Sequence, residues 1–444
     1  MASLKYLDDG TTAGVGGVLF TDRRKFYLEE NSYAELWPSA TPFLTGILNS
    51  ATKYSNLADP MYKMFEHRNP MEKQQMTIAS VGGAIPNSDS SQSVVVTGSS
   101  IVGLPTTSAH IETTDVWWKW GQSFEVWDST RTTRKGVFAV VAVASQDTLT
   151  VKNLGTTAFT PVAGDIATYL GPLSEVGSLA PDSWHDELKV IWNACGHMRT
   201  SVEIAGDLYY ASLRGANNEL ERLRQQKLLQ HKISVERLLM RGDSVLGTNM
   251  DSAGTFADNW RTGANSRKIR STMGIITAIL KYGNTSGDYQ NIFDFSAGLE
   301  FNDWVDATEK MFQYTEWAGM KDFYCGPRAM SYWSKINAGK LRSGFEIQLS
   351  DFRTDTQGLS FKYIETPFGV ARLIPVPSMK RDYANVMIAV TSANIGHAQY
   401  RSPAYYTNIK TEDRFDGVKD EWESDEGVIL KLIESHSYVK LPVT

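Results

Sequence analysis

NNELERLRQQKLLQHKISVERLLMRGD, residues 217–243, reads as most of one long helix with charge on nearly every side. Leu213, Ala216, Leu220 and Leu223 share a face at three-to-four spacing, the pattern of an amphipathic helix. Further along, Leu229, Ile233 and Met240 point to nearly the opposite side, while Leu228, Val235 and Leu238 stay near the first. The spacing predicts a helix from near Leu213 to Met240, about 40 Å long at 1.5 Å per residue. Gly242 is its expected stop. A helix polar nearly all round bridges domains, leans on ion pairs or is unstable. The expectation here is a rod that crosses between layers.

Upstream, residues 1–65 hold only short elements. GTTAGVGG is turn-rich, and FYLEENSYAELW and TPFLTGILNSATKYS read as short helices separated by Gly and Pro. Ser39 and Thr41 are candidate N-caps ahead of Pro42, which suits a first helical turn. Residues 61–103 turn to extended structure with polar loops and one strand candidate, Val94–Thr97. So long an excursion is expected to meet a partner or another domain. Ile111–Leu170 is the clearest all-β stretch: VFAVVAVA and DTLTVKNL read as a hairpin, and DIATYLG follows the PVAGD turn. Val, Thr, Phe and Trp suit a pleated, half-buried surface. This block is expected to be a small inserted barrel or sandwich.

Downstream, residues 260–390 alternate helical and strand signals. RSTMGIITAIL reads as helix or strand, EFNDWVDATEKMFQYTEW as a helix capped by Asn302, and DFYCGPRAMSYWSKI as strand, turn and helix. FKYIETPFGVARLIPVP and ANVMIAVT are strand candidates, and GVILKLIESHSYVKL alternates as one or two paired strands. This is α+β or α/β material with its own core.

Composition narrows the function classes. A chain of 444 residues allows two or three domains. A formal net charge of -6 argues against a dedicated nucleic-acid binder, which shows a basic footprint. Cys195 and Cys325 lie far apart without CxxC spacing, which speaks against a disulfide framework or a cysteine zinc site and fits a reducing compartment. No run approaches the roughly eighteen apolar residues of a membrane span. MASLKYLDDGTTAGVGG lacks the basic-then-apolar order of a signal peptide. A soluble protein made in a cytoplasm is expected.

No catalytic constellation outranks its structural reading. Gly14-Val15-Gly16-Gly17 follows no strand and opens no helix, and no GxxxxGK[ST] run occurs. The seven histidines form no HExxH or close pair; the nearest grouping is His185 and His197 with Asp186 and Glu187, too spread to imply converging ligands. No GxSxG elbow exists, and Cys325 before Gly326-Pro327 reads as a small buried residue. Arg241-Gly242-Asp243 matches an adhesion tripeptide in letters only. Asp420, Glu421, Glu423, Asp425 and Glu426 are read as a solvated acidic face, with a cation site as the alternative. The expectation is no catalytic, cofactor or metal site.

Taken in order, these stretches resemble the major capsid proteins of tailed bacteriophages with the Hong Kong 97 (HK97) fold, in the branch with a small β-barrel inserted in the extended loop. TPFLTGI is similar to the arm helix, and VFAVVAVASQDTLTVKNLGTT with PVAGDIATYLGP to the inserted barrel. SVEIAGDLYYAS leading into ELERLRQQKLLQHKISVERLLMRGD is similar to the approach to the spine helix. RKIRSTMGIITAIL and FDGVKDEWESDEGVILKLIESHSYVK complete the order, over about Trp37 to Lys440.

The resemblance implies an α+β fold with an N-terminal arm at 1–65 and an extended-loop region at 66–190, its barrel at about 111–172. It further implies a peripheral domain with the spine helix at 191–262, an axial domain at 263–390, and a C-terminal peripheral part at 391–444. It implies a non-enzymatic subunit that assembles as hexamers and pentamers of an icosahedral shell around double-stranded DNA. Portal and scaffold or decoration proteins are implied partners, with no membrane, in a virion assembled in the host cytoplasm. Pro42, Phe43, Leu44, Trp117, Trp118 and Trp120 are the expected intersubunit contacts. Leu213, Leu220, Leu223, Ile233 and Leu238 mark the spine helix. Arg222, Arg224 and Lys227 are candidates for non-specific DNA contact or intersubunit ion pairs. No Lys–Asn crosslink is assigned. A cellular encapsulating shell of the same fold, a hydrolase with a β-module and a tail component are the alternatives.

Overall fold

The computed structural model describes residues 41–48, 52–66, 75–96, 120–145, 147–173, 175–177, 189–210, 219–244, 261–286, 290–313, 319–340, 353–354, 360–409 and 416–442. Among the described residues the order begins with α1 (Pro42–Leu48), β1 (Thr52–Tyr54) and β2 (Met61–Glu66). Six strands follow: β3 (Gln75–Val81), β4 (Gln92–Val96), β5 (Gln122–Trp127), β6 (Arg134–Ser145), β7 (Thr148–Asn153) and β8 (Ile166–Pro172). Then come β9 (Lys189–Ala194), β10 (Gly196–Ala205), α2 (Gly206–Tyr210), α3 (Glu219–Arg241) and α4 (Ile275–Tyr282). Next are β11 (Ile292–Asp294), α5 (Phe301–Phe312), β12 (Met320–Cys325), α6 (Pro327–Lys340), β13 (Arg353–Thr354), β14 (Ser360–Thr366) and β15 (Gly369–Pro375). The chain closes with β16 (Val386–Val390), β17 (Ile395–Tyr406), β18 (Gly417–Leu430) and β19 (Ser437–Lys440).

Two compact units emerge. Among the described residues the smaller contains 199–210, 219–231, 404–409 and 416–423, and the larger contains the rest. The smaller has its own core of Val202, Ile204 and Leu220, with Leu223, Val418 and Trp422 against it.

Within the larger unit, β3–β8 close into an antiparallel barrel in the order β3-β4-β7-β6-β5-β8. Alternation drives closure: β3 buries Met76 and Ile78, β4 Val94 and Val96, β7 Leu149 and Val151, so every second side chain turns inward. Phe124, Phe138 and Phe159 fill the interior. Gly136 makes room, since a Cβ there would lie 2.4 Å from the Phe159 ring. The sequence expectation started the barrel at about 111. The barrel in fact starts at Gln75, because β3 and β4 pair with strands far downstream.

A seven-stranded mixed sheet runs β11-β19-β16-β12-β15-β14-β13. Both of its faces are covered, so β16 is buried throughout and β12 at every residue after Met320; such two-sided burial erases polar alternation. One face carries Tyr324, Ile374 and Ile388 in a core shared with α1, α4 and the C-terminal part of α3. The other carries Phe323, Leu373 and Met387 with Trp304 and Met311 of α5 and Trp333 of α6. α6 starts on Pro327, as the Gly-Pro turn predicts. α5 is capped by Glu300, which forms a capping box with Asp303; the expected cap, Asn302, lies inside the helix. RSTMGIITAIL resolves as α4, whose apolar positions pack into the first core.

α1 shows why a glycine sits in a helix. Phe43 meets Tyr324 edge-on at 4.9 Å, and a Cβ on Gly46 would lie 2.2 Å from the Tyr324 hydroxyl oxygen. Gly46→Ala is therefore expected to push α1 off its seat at a cost of about 1–3 kcal/mol. A lower urea midpoint with an unchanged slope would register it.

Candidate functional site

α3 begins, among the described residues, at Glu219 and ends at Arg241, with Gly242 donating to the Leu238 carbonyl at 2.7 Å. The two parts of the helix serve different cores. Leu220 and Leu223 belong to the core of the smaller unit. Val235, Leu239 and Met240 belong to the core beneath α1 and α4. Ile233 is buried, and Leu238 abuts Gly196, where a Cβ would lie 2.7 Å from its methyl carbon. Leu213 lies outside the described residues.

The apolar face of α3 carries one carboxylate, Glu236, with no exposed surface. One of its oxygens accepts hydrogen bonds from the backbone N–H groups of Phe43 (3.0 Å) and Leu44 (3.2 Å), and the other accepts from the Ser378 hydroxyl. These are the amide donors a local N-cap side chain would satisfy. Pro42 has no N–H, and Thr45 N–H already reaches the Thr41 carbonyl at 3.0 Å. Ser39 lies outside the described residues, and the Phe43 and Leu44 amides that Thr41 was expected to cap are met instead from a helix far along the chain. Burial pushes the Glu236 carboxyl up, and the hydrogen bonds from Ser378, Leu44 and Phe43 pull it back only in part.

The acidic run is not a solvated face. It divides into separate ion-pair networks on β18. Asp420 accepts from Arg224 (2.7 Å), the Tyr405 hydroxyl (3.0 Å) and the Asn408 N–H (2.7 Å). Asp425 accepts from His197 (2.6 Å), Arg270 (3.1 Å) and Arg401. Burial alone would raise both carboxyls, yet these donors hold each below the usual carboxylate range. Glu421 pairs with Arg199, and Glu426 faces His397 at 3.4 Å. His185, Asp186 and Glu187 lie outside the described residues.

Behind the seven-stranded sheet sits a second buried charge. Lys321 is 1% exposed, and its ammonium donates to the Met311 carbonyl at 2.6 Å. That carbonyl belongs to the last turn of α5, where acceptors lack helical partners and cations are favoured. Burial still lowers the Lys321 ammonium to about 7. His436 accepts at Nδ1 from the Thr391 N–H, which places its proton on the buried Nε2. Burial and the nearby Lys321 charge lower its imidazole to about 3.

Several apolar groups are exposed among the described residues. A groove of about 420 Å³ is lined by Tyr54, Leu57, Lys63, Met64, Phe65 and Lys431, among others. Phe65 is 68% exposed. On the barrel, Val141, Val143, Leu170 and Leu173 are exposed. Gly121 donates to the Val140 carbonyl and accepts from the Leu173 N–H, so Val141 and Leu173 flank the start of β5. Trp120 stands half-buried at that point; Trp117 and Trp118 lie outside the described residues.

Pro42, Phe43 and Leu44 are used differently from the expectation. Phe43 has no exposed surface and Leu44 only 7%, so these residues anchor α1 inside their own subunit. Arg222 pairs with Glu219, and Arg224 with Asp420 and Glu221. Lys227 donates to Gln230 at 3.0 Å. The ion pairs of the two arginines are therefore made within the subunit. Glu236 and Lys321 escaped the sequence reading. The signal for Glu236 was present: it falls between Val235 and Leu239 on an otherwise apolar face.

Comparison with known proteins adds the family. Among solved structures, the capsid of a native GTA particle aligns at TM-score 0.41 and 9% identity, over 97% of this chain and 100% of that one. The SrpI encapsulin of Synechococcus elongatus PCC 7942 aligns at 0.36 and 11%, over 60% and 79%. The capsid of cyanophage Pam1 aligns at 0.37 and 8%, over 62% and 83%. No protein of curated function matches the chain. The profile of one sequence family, the SU10 major capsid proteins, matches residues 33–419. The match spans most of the sequence, and the chain belongs to the SU10 major capsid protein family.

Proposed function

We propose that copies of this protein assemble as hexamers and pentamers of an icosahedral shell that encloses double-stranded DNA. The observation that carries the reading is the family match across residues 33–419. In the reading, the chain follows the HK97-type plan, with α3 as the spine and the β3–β8 barrel as the module of the extended loop. The groove beside Phe65 and the apolar groups around Trp120 supply part of the contact between copies, since their burial stabilises by roughly 25 cal/mol per Å². The subunit acts by binding and performs no catalysis. Contact with DNA is confined to the inner surface, lacks sequence preference and weakens steeply with salt. Assembly takes place in the host cytoplasm, with a portal among the partners.

Electron microscopy of the purified protein across salt concentrations is expected to show closed shells. A species that stays monomeric or dimeric in every condition overturns the reading. Particles from the native host are expected to hold nuclease-protected DNA; an enclosed enzyme without nucleic acid would favour a cellular encapsulating shell.

A further inference from the structure

We propose that the groove beside Phe65 takes an extended, acidic segment of a neighbouring copy, which adds as a strand to the open edge of β2. The inference rests on the shell reading above and names how one of its contacts is made. The lining fixes where the groove runs. Four consecutive residues, Tyr62 to Phe65, border it. Successive side chains of a strand point to opposite faces, so a groove that meets all four lies along the edge of β2 and not over one face. Tyr62 and Met64 turn inward into a cluster with Ala398 and Ile429, while Lys63 and Phe65 turn outward. β9 holds the other edge, and among the described residues no strand pairs with the groove side. Backbone parity agrees. The Cys195 N–H donates to the Pro60 carbonyl at 2.8 Å, in the same register that pairs Tyr62 with Asn193 and Met64 with Ile191. Antiparallel ladders bond every second residue. The even-numbered residues of β2 therefore bond β9, and the Phe65 N–H and C=O point to the groove.

An open edge of this kind is a template for another strand. Strand addition draws affinity from main-chain hydrogen bonds and specificity from pockets for alternate side chains, and Tyr54 of β1 and Leu57 supply apolar surface for these. Charge selects the strand. The lining carries two lysines, Lys63 and Lys431, and no carboxylate. The neighbouring Glu66 is buried, and its Oε1 accepts from the Leu432 N–H. A second β2 edge placed here about a two-fold axis would set lysine against lysine, and directly opposed like charges are destabilising. The segment that fits therefore comes from a different, acidic surface of the neighbour. Such a contact is heterologous, and heterologous contacts close into rings when the rotation allows, the form that hexamers and pentamers require.

The test uses shells assembled from an equal mixture of isotope-labelled and unlabelled full-length protein, treated with a carbodiimide that joins an ammonium to a carboxylate without a spacer. Lys63 or Lys431 is expected to join an aspartate or glutamate of the other isotope, which identifies the segment. The Phe65 amide is expected to exchange hydrogen about tenfold or more slowly in shells than in the unassembled subunit, as a newly paired edge would. Lys63→Glu with Lys431→Glu is expected to raise the protein concentration needed for assembly by about tenfold or more, given the cost of opposed like charges. Lys63→Arg with Lys431→Arg is expected to leave it unchanged. Phe65→Pro removes an outward N–H and spares the β9 ladder, so it is expected to impair assembly more than Phe65→Ala. A wild-type urea midpoint for each unassembled variant separates lost assembly from lost folding, and where a variant does not fold, the crosslink and exchange measurements on the wild type decide. Crosslinks confined to one isotope, equal Phe65 exchange in both states, or normal assembly of the double glutamate variant each overturns the proposal. Shells with an unprotected Phe65 amide refute the groove contact alone, whereas the absence of shells refutes the shell reading and the groove contact with it.

Discussion

Asp425→Ala is expected to destabilise the folded subunit by about 3–5 kcal/mol, the loss typical of removing one partner from a buried charge network. The Asp425 side chain has no exposed surface and is met by His197, Arg270 and Arg401. The Arg401 side chain is 51% exposed and regains water when the carboxylate goes, but Arg270 is 20% exposed and is left with poor compensation. The measurement is the urea midpoint at neutral pH, with Asp425→Asn separating lost charge from lost volume. The pH dependence follows from the lowered carboxyl. Stability from Asp425 is fully present above its unfolded value near 3.8 and is lost as pH falls through the lower folded value. Wild type and variant should therefore converge in acid. A deficit that persists unchanged at low pH would mean that packing, not charge, is what Asp425 supplies.

Lys321→Met is expected to do the opposite. The folded ammonium titrates at about 7 against 10.5 in the unfolded chain, a gap equivalent to roughly 5 kcal/mol. Between those values the unfolded chain binds a proton that the folded chain lacks, so wild-type stability rises with pH through that window. Below about 7 both states are protonated, and the fold carries the full cost of the buried charge. Methionine fills similar space without the charge, leaving only the Met311 carbonyl short of a donor. The net gain at pH 7 is expected to be about 2–4 kcal/mol after that carbonyl's desolvation. The rise between pH 7 and 10 should vanish in the variant. Denaturation midpoints at several pH values read both effects, and a variant no more stable than wild type at pH 7 would refute the account.

The parts of the fold legible in the sequence were those carried by neighbouring residues. The apolar repeat and Gly242 located α3, Gly326-Pro327 located the β12–α6 turn, and Val-Thr alternation located β6, β7 and β8. What depended on distant pairing was hidden. β3 and β4 carry polar loops that mask their place in the barrel, and only pairing of β3 with β8 and of β4 with β7 makes them barrel strands. The α1 cap lies 193 residues from Phe43, beyond any local motif. The acidic run looked solvated because its arginine and histidine partners sit on β10, β17, α3 and the stretch before α4. Pro42, Phe43 and Leu44 were legible as apolar anchors, but apolarity alone does not say whether the surface they cover belongs to the same chain or to a neighbour.

The barrel's strand order has a consequence for how such a subunit can change. Its incoming strand and its outgoing strand lie side by side, with Gln75 opposite Thr168, about 4.8 Å apart as neighbouring strands are. The host chain therefore leaves and returns at almost one point, and the module imposes no separation on it. A closed barrel also has no free edge that depends on its surroundings for pairing. The piece can accordingly be exchanged for a tight hairpin, or transplanted into the hairpin of another protein, with little geometric adjustment at the junction. Deliberate removal of the module, or display of a foreign domain at the same junction, is favoured by that adjacency of its two ends.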